Sequence, residues 1–201
     1  MTYKRPLRDV VIHELEVEKS RFITRITRAE TVEEARSFIH EVRALEPTAS
    51  HHVYAYCIGF GNSTIYGMSD AGEPAGTAGR PTLAVLQGSQ LGDVVLVTTR
   101  YFGGRKLGTG GLVRAYTQAA QQALALCAVE EKVQHLCFTM LAQYTHYSLI
   151  CHTLARFGAE ISATDFATDV SISFSIRPEL WPDCETALIN TAAGSIVLIP
   201  C

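Results

Sequence analysis

Residues 93–124 read DVVLVTTRYFGGRKLGTGGLVRAYTQAAQQAL, which predicts a buried strand, a glycine-rich turn and then an amphipathic helix. The run Val94–Val97 is mostly β-branched, as is typical of strands. The residues predicted to be buried on the helix, at helical spacing, are Leu112, Tyr116, Ala119 or Ala120, Ala123 and Leu126.

The turn between them concentrates glycine and positive charge. Five glycines fall within the nine positions 103–111, with cationic side chains around them. Free amides at a helix start, surrounded by positive charge, favour an anion such as phosphate. The predicted anion- or RNA-binding residues are Arg100, Gly103, Gly104, Lys106, Gly108, Thr109, Gly110, Gly111 and Arg114. The spacing matches neither GxxxxGK[ST] nor a dinucleotide GxGxxG. Pure packing of the turn against residues 67–81 is therefore an equal alternative.

A second glycine-rich block, SDAGEPAGTAGRP, covers Ser69–Pro81 and is predicted to form a supporting loop. The polar residues expected to act in it are Ser69, Asp70, Glu73 and Arg80. The carboxylates of Asp70 and Glu73 are three residues apart, a spacing that allows them to act as an acid/base pair or as magnesium ligands. Capping of loop amides, or pairing with Arg80 or Arg100, is the alternative that we favour.

Other sequence patterns that could indicate catalysis or metal binding are weak. His51 and His52 are adjacent on a predicted strand and face opposite sides. No HExxH, CxxC or Ser-His-Asp pattern occurs in the sequence. We therefore predict no catalytic residue, no metal site and no cofactor.

Composition divides the chain near residue 130. Residues 1–128 carry 14 Lys/Arg and 12 Asp/Glu, whereas residues 129–201 carry 3 and 8. Glu130-Glu131-Lys132 is interpreted as a polar joint between domains 1–129 and 130–201. The second domain is predicted to run βαββαβ, the order of a ferredoxin-like sandwich, so the fold class is α+β. Its predicted elements are strand 133–143, helix 146–157, strands 159–167 and 169–176, helix 178–193 ending at Gly194, and strand 195–199.

The elements of the first domain are predicted from shorter sequence patterns. Thr31 is expected to cap a helix that ends near Leu45. The other predicted elements are strands 10–17, 21–27 and 52–60, a loop to about Gly79, and a short helix with Pro81 in its first position.

Four segments carry a family resemblance: YFGGRKLGTGGLVRAY (101–116), SDAGEPAGTAGRP (69–81), KSRF (19–22) and the pair His51-His52. Together they resemble the IMPACT/YigZ family, and the similarity covers essentially the whole chain. The resemblance implies a first domain like domain 2 of ribosomal protein S5 and a second like domain V of elongation factor G. It also implies a link to translation, because eukaryotic members act in translational control by binding the activator of an initiation-factor kinase. Bacterial members lack that pathway.

Two functional hypotheses follow. The first is a non-enzymatic, translation-linked binding protein that contacts RNA, the ribosome or a ribosome-associated protein. The second is an enzyme of small-molecule metabolism that binds a nucleotide or phosphate at the glycine-rich turn. With no apolar run of membrane-spanning length and no signal region, a cytoplasmic protein is expected. The sequence leaves the oligomeric state open.

Overall fold

The computed structural model describes residues 2–133, 135–191 and 196–200. Its contacts divide the chain into two compact units, one over Tyr3–Lys132 and one over Val133–Cys201 with Met1–Thr2. We call these the N-terminal and C-terminal units. The sequence-based domain boundary between residues 129 and 130 stays a prediction, as does the independent folding of the two domains.

The N-terminal unit is built around one strand that is buried on both faces. Its strands are β1 (Thr2–Pro6), β2 (Val11–Val17), β3 (Ser20–Arg28), β4 (His51–Ile58), β5 (Ile65–Ser69), β6 (Val94–Tyr101) and β7 (Val129–Val133). Its helices are α1 (Val32–Leu45), α2 (Gly79–Ser89) and α3 (Gly108–Ala125), with a 3₁₀ turn at Gly61–Ser63. Five strands form an antiparallel sheet in the order β2-β3-β6-β4-β5, and β1 pairs with β7 separately.

Helices cover both faces of this sheet. On β6, Val95 and Val97 pack with α1, whereas Val94 and Leu96 pack with α2 and α3. A strand covered on both sides needs apolar residues at successive positions, which explains the uninterrupted run that begins at Val94. The predicted Thr31 cap is present, because its side chain accepts a hydrogen bond from the amide of Glu34.

The C-terminal unit has the predicted βαββαβ order. Its elements are β8 (Leu136–Ala142), α4 (Tyr147–Arg156), β9 (Glu160–Phe166), β10 (Val170–Ile176), α5 (Trp181–Thr191) and β11 (Val197–Pro200). The sheet order is β11-β8-β10-β9, all antiparallel, and both helices share one apolar core with it. The α+β fold class is therefore confirmed. The helix end predicted at Gly194 and the strand start at Ser195 lie outside the described residues.

Several predicted details of the N-terminal unit are wrong. The loop expected after β4 contains the edge strand β5, and the strand β1 was not predicted. Leu126 is 58% exposed because α3 ends before it, at Ala125. Pro81 is the third residue of α2. No helix in the described part of the chain is long and apolar enough to cross a membrane.

The predicted polar joint is also a strand, β7. Residues two apart on a strand share a face, so Glu130 and Lys132 project together. Glu130 pairs with Arg5 at 2.8 Å and with Arg28. The ammonium of Lys132 lies 3.0 Å from Asp93, whose side chain is only 2% exposed. These charges therefore fasten β7 to the N-terminal unit.

We expect Lys132→Met to lower the free energy of unfolding by about 1–3 kcal/mol, because it leaves the buried Asp93 without its ammonium partner. Lys4→Met is the matched control, since Lys4 is exposed on β1 and has no ion pair among the described residues. Urea denaturation of the full chain measures both variants. Equal stabilities would mean that the Lys132–Asp93 pair contributes nothing.

Candidate functional site

Asp70 organises the loop between β5 and α2. Its Oδ1 accepts hydrogen bonds from the amides of Ala78 (3.0 Å) and Gly79 (2.8 Å), and its Oδ2 accepts one from Gly76 (2.9 Å). Burial alone would raise the pKa of Asp70, but these amides and the charge of Arg80 outweigh it and lower the pKa. The start of α2 is thus capped by a carboxylate of its own loop.

Glu73 ties the same loop to β6 and α3. Its Oε1 accepts hydrogen bonds from Nη1 of Arg100 (2.7 Å) and from the hydroxyl of Tyr116 (2.8 Å). Both side chains of the Glu73–Arg100 ion pair are at least 94% buried. Burial and the adjacent carboxylate raise the pKa of Tyr116, so its hydroxyl remains a hydrogen-bond donor. Pairing with Arg100, one of the alternatives left open by the sequence, is what the structure shows.

Asp70 and Glu73 do not converge on one point. Asp70 binds backbone amides, whereas Glu73 binds two side chains. His51 lies 3.9 Å from the second oxygen of Glu73, and His52 contacts Thr99 instead. The two carboxylates are therefore not placed to act together as an acid/base pair or as ligands of one magnesium ion.

The glycine-rich turn after β6 contacts the β2–β3 hairpin through Gly103, and its Leu107 packs against the apolar cluster that contains Ala78 of the 67–81 block. A Cβ on Gly103 would lie 2.1 Å from the carbonyl of Lys19, so only glycine fits there. The Gly103 amide donates to the buried hydroxyl of Ser20. Gly110 has no such packing requirement: a Cβ there would meet only the tip of Arg114, at 3.7 Å.

The start of α3 is open. Neither helix has an acidic residue in its first turn, but Asp70 accepts a hydrogen bond from the Gly79 amide of α2, whereas no side chain of the described residues caps α3. Thr109 and Gly110 are exposed there. Lys106 and Arg114 are also exposed and have no ion pair within the described ranges. Arg105 is different, because it pairs with Glu18 at 2.6 Å.

Two small cavities flank this helix start. One, of about 260 Å³, is lined by residues that include Arg100, Phe102, Lys106, Gly108 and Thr109. The other, of about 370 Å³, is lined by residues that include Lys106, Gly111 and Arg114. We call them the Phe102 cavity and the Arg114 cavity. Lys106 lines both, so the cavities adjoin at this residue, and we refer to the residues around them as one surface.

The predicted site residues that line these two cavities are Glu73, Arg100, Lys106, Gly108, Thr109, Gly111 and Arg114. Arg100 forms part of the wall of the Phe102 cavity with its charge paired to Glu73. Gly103 serves packing. Arg80 lines a separate, mostly apolar groove of about 770 Å³ between α2 and α3, together with residues such as Ala84 and Val113. Ser69 accepts a hydrogen bond from the Ala71 amide, and Gly104 is exposed with a φ of +85°.

Comparison with known proteins identifies the family. The Impact N-terminal domain family matches residues 18–124, which include both glycine-rich blocks and α3 up to Leu124. The chain belongs to the IMPACT family. An IMPACT family member of Haemophilus influenzae is 38% identical over 192 residues, covering 95% of this chain and 93% of the relative. The IMPACT family member YigZ of Escherichia coli is 37% identical over 185 residues, covering 92% and 91%.

A solved structure supports the same assignment. The crystal structure of a hypothetical protein is similar with a TM-score of 0.77 and 35% sequence identity, covering 100% of this chain and 97% of that one. This IMPACT family chain therefore shares its fold with a solved structure along its full length.

Three residues of the site were missed from sequence. Ser20 and Tyr116 hold the turn and the loop in place, and Phe102 forms one wall of the first cavity. Tyr116 was predicted only as a core residue. The segment KSRF at 19–22 was a signal for Ser20, since it belongs to the family resemblance.

We expect Asp70→Asn to lower the free energy of unfolding by about 1–3 kcal/mol at neutral pH, because an amide replaces an acceptor of three backbone hydrogen bonds. The folded-state pKa of Asp70 is lowered, so its stabilisation is complete above the unfolded pKa of about 3.9 and is lost as pH falls through the folded value. The difference in free energy of unfolding between the wild type and the variant should therefore disappear at pH values below the folded-state pKa of Asp70. Denaturation over a pH series checks this, with the exposed Asp9→Asn as control; a pH-independent difference would contradict it.

Proposed function

We propose that this chain is a non-enzymatic, translation-linked binding protein that contacts RNA at the open start of α3. The observation that carries the proposal is the pair of unpaired cations, Lys106 and Arg114, beside helix amides that no side chain of the described residues caps. Exposed amides and the helix dipole favour an anion at this point. Lys and Arg supply the charge-assisted contacts that phosphate oxygens accept.

The contrast with α2 supports this assignment. Both helices begin in glycine-rich sequence, but Asp70 already occupies the amides of Ala78 and Gly79 at the start of α2. At α3 the corresponding acceptor would be supplied by a ligand. Gly110 adds no side chain of its own here, so a phosphate oxygen can approach the backbone beside the tip of Arg114.

Binding to RNA must rest on this local surface, because the chain carries a formal net charge of −3. Dedicated nucleic-acid-binding domains are usually more basic. The link to translation comes from the family, whose eukaryotic members act in translational control. A cytoplasmic location and contact with the ribosome, or with a ribosome-associated protein, form part of the same proposal.

The enzymatic alternative has less support from the geometry. Glu73, the carboxylate beside the Phe102 cavity, has one oxygen engaged by Arg100 and Tyr116 and is only 7% exposed. A general base needs to lie within hydrogen-bond reach of its substrate, and this carboxylate is directed to protein partners. We therefore favour binding over catalysis.

We expect the double variant Lys106→Ala/Arg114→Ala to bind RNA more weakly, because each direct charge-assisted contact contributes about 1.5–3 kcal/mol. The probe is a labelled single-stranded oligoadenylate of about ten nucleotides, followed by fluorescence anisotropy over a salt series. Loss of two phosphate contacts should flatten the slope of log K against log salt by about 1.4.

The matched control is Lys4→Ala/Arg36→Ala, which removes one exposed lysine and one exposed arginine away from the α3 start. Arg36 lies on α1, which covers the opposite face of the sheet. The control should bind as the wild type does. Identical affinities and salt slopes for both double variants would place the RNA site elsewhere.

A thermal-shift experiment distinguishes the proposed RNA binding from the enzymatic alternative. Free nucleotides in excess raise the melting temperature of a protein that binds them. Stabilisation by a mononucleotide, without measurable binding of the oligoadenylate, would favour the small-molecule hypothesis. We expect the reverse result.

A further inference from the structure

Phe102 stands at the edge of the proposed RNA surface. It follows β6 directly, and its side chain is 50% exposed. The guanidinium of Arg100 lies 5.6 Å from the ring centroid, and the Phe102 amide donates to the hydroxyl of Ser50. The ring is therefore positioned by its neighbours while half of its surface remains available to a ligand.

The cavity beside Phe102 combines three kinds of group. It has an aromatic wall, the cation Lys106, and the first residues of α3, Gly108 and Thr109. Its volume of about 260 Å³ is below the 300–1,000 Å³ of typical drug-sized sites, so it suits a single flat ring and not a large ligand.

The inner wall of the cavity is formed by a residue whose charge is already engaged by the protein. Arg100 lines it with a side chain that is 94% buried, and its Nε has no hydrogen-bond acceptor within the described part of the chain. Buried donors without acceptors are uncommon, because each costs desolvation free energy. Because that Nε has almost no accessible surface and the guanidinium is bound to Glu73, the groups left to contact a bound molecule are the Phe102 ring, Lys106 and the start of α3.

The two cavities together favour a strand over a mononucleotide. Lys106 lines both the Phe102 cavity and the Arg114 cavity, so the unpaired cations continue beyond the first. Successive phosphates of one strand can follow such a path. A duplex does not fit this arrangement, because its bases are stacked inside the helix and their faces are not available to a side chain.

We propose that Phe102 is a stacking platform for one unpaired base of single-stranded RNA, whose backbone runs past Lys106 towards Arg114. This inference rests on the proposed function, since it specifies which RNA the α3 surface binds. Stacking on an aromatic ring does not depend on base identity, so the platform selects unpaired strands and not a particular sequence.

The test uses full-length variants of Phe102 and two probes. Phe102→Ala removes the ring, and Phe102→Leu keeps an apolar cover over Arg100 without a flat surface. Both should weaken binding of the single-stranded oligoadenylate by about 5- to 150-fold. Binding of inorganic polyphosphate, which carries charge but no bases, should be unchanged. Duplex RNA of the same length should bind more weakly than the single strand and be insensitive to both variants.

Phe102→Trp supplies a direct readout, because a larger ring should preserve binding and its fluorescence should be quenched on stacking. The chain has one native tryptophan, Trp181, so the signal is taken as the difference from the wild type. Thermal melts of all variants establish that they are folded.

The outcomes separate the two proposals. If Phe102→Ala binds the oligoadenylate normally while Lys106→Ala/Arg114→Ala does not, the stacking inference is wrong and the proposed function stands. If Phe102→Leu binds like the wild type, or Phe102→Ala weakens polyphosphate binding equally, Phe102 only supports the site and the inference is overturned. If no variant changes RNA binding, the proposed function fails as well.

Discussion

Glu73 accepts hydrogen bonds from Arg100 and Tyr116 through one carboxylate oxygen, deep inside the N-terminal unit. This interaction joins the 70–79 loop, the end of β6 and the middle of α3, so the rest of the candidate site depends on it. Removing one partner from a buried ion pair typically costs about 3–5 kcal/mol, because the remaining charge stays desolvated. The ion pair also decides which cations can bind a ligand: Arg100 holds the loop, so the available cations are Lys106 in the turn and Arg114 on α3.

The same loop explains why the two glycine-rich helix starts differ. Asp70 reaches back to the amides at the start of α2, which satisfies groups that every helix leaves without an internal partner. The turn before α3 contains no residue that could do the same, because its polar side chains are Arg105 and Lys106. One helix is therefore capped within the protein, whereas the other presents amides and positive charge at the surface.

Sequence patterns predicted the elements with a strong local signal and missed those that are mostly exposed or whose partners are distant in sequence. The double-sided burial of β6, the Thr31 cap and the βαββαβ order were readable from local sequence. The strand β5 was not, because it lies at a sheet edge with a mostly exposed pattern. In β7 the charges meet partners such as Arg5 and Asp93, which are distant in sequence. The site shows the same limit: sequence left Arg80 and Arg100 open as partners of the loop carboxylates, because Glu73 and Arg100 lie 27 residues apart.

Charge and ring chemistry have separate roles on the proposed surface. A chain with a net charge of −3 gains little long-range attraction for RNA, and the Debye length of about 8 Å at physiological salt confines Lys106 and Arg114 to local contacts. Phosphate contacts of this kind position a strand without reading it. Stacking adds a contact that salt does not screen and that only an unpaired base can make. Because a cation and an aromatic ring border the same cavity, a surface with few charges can still prefer single strands to duplexes.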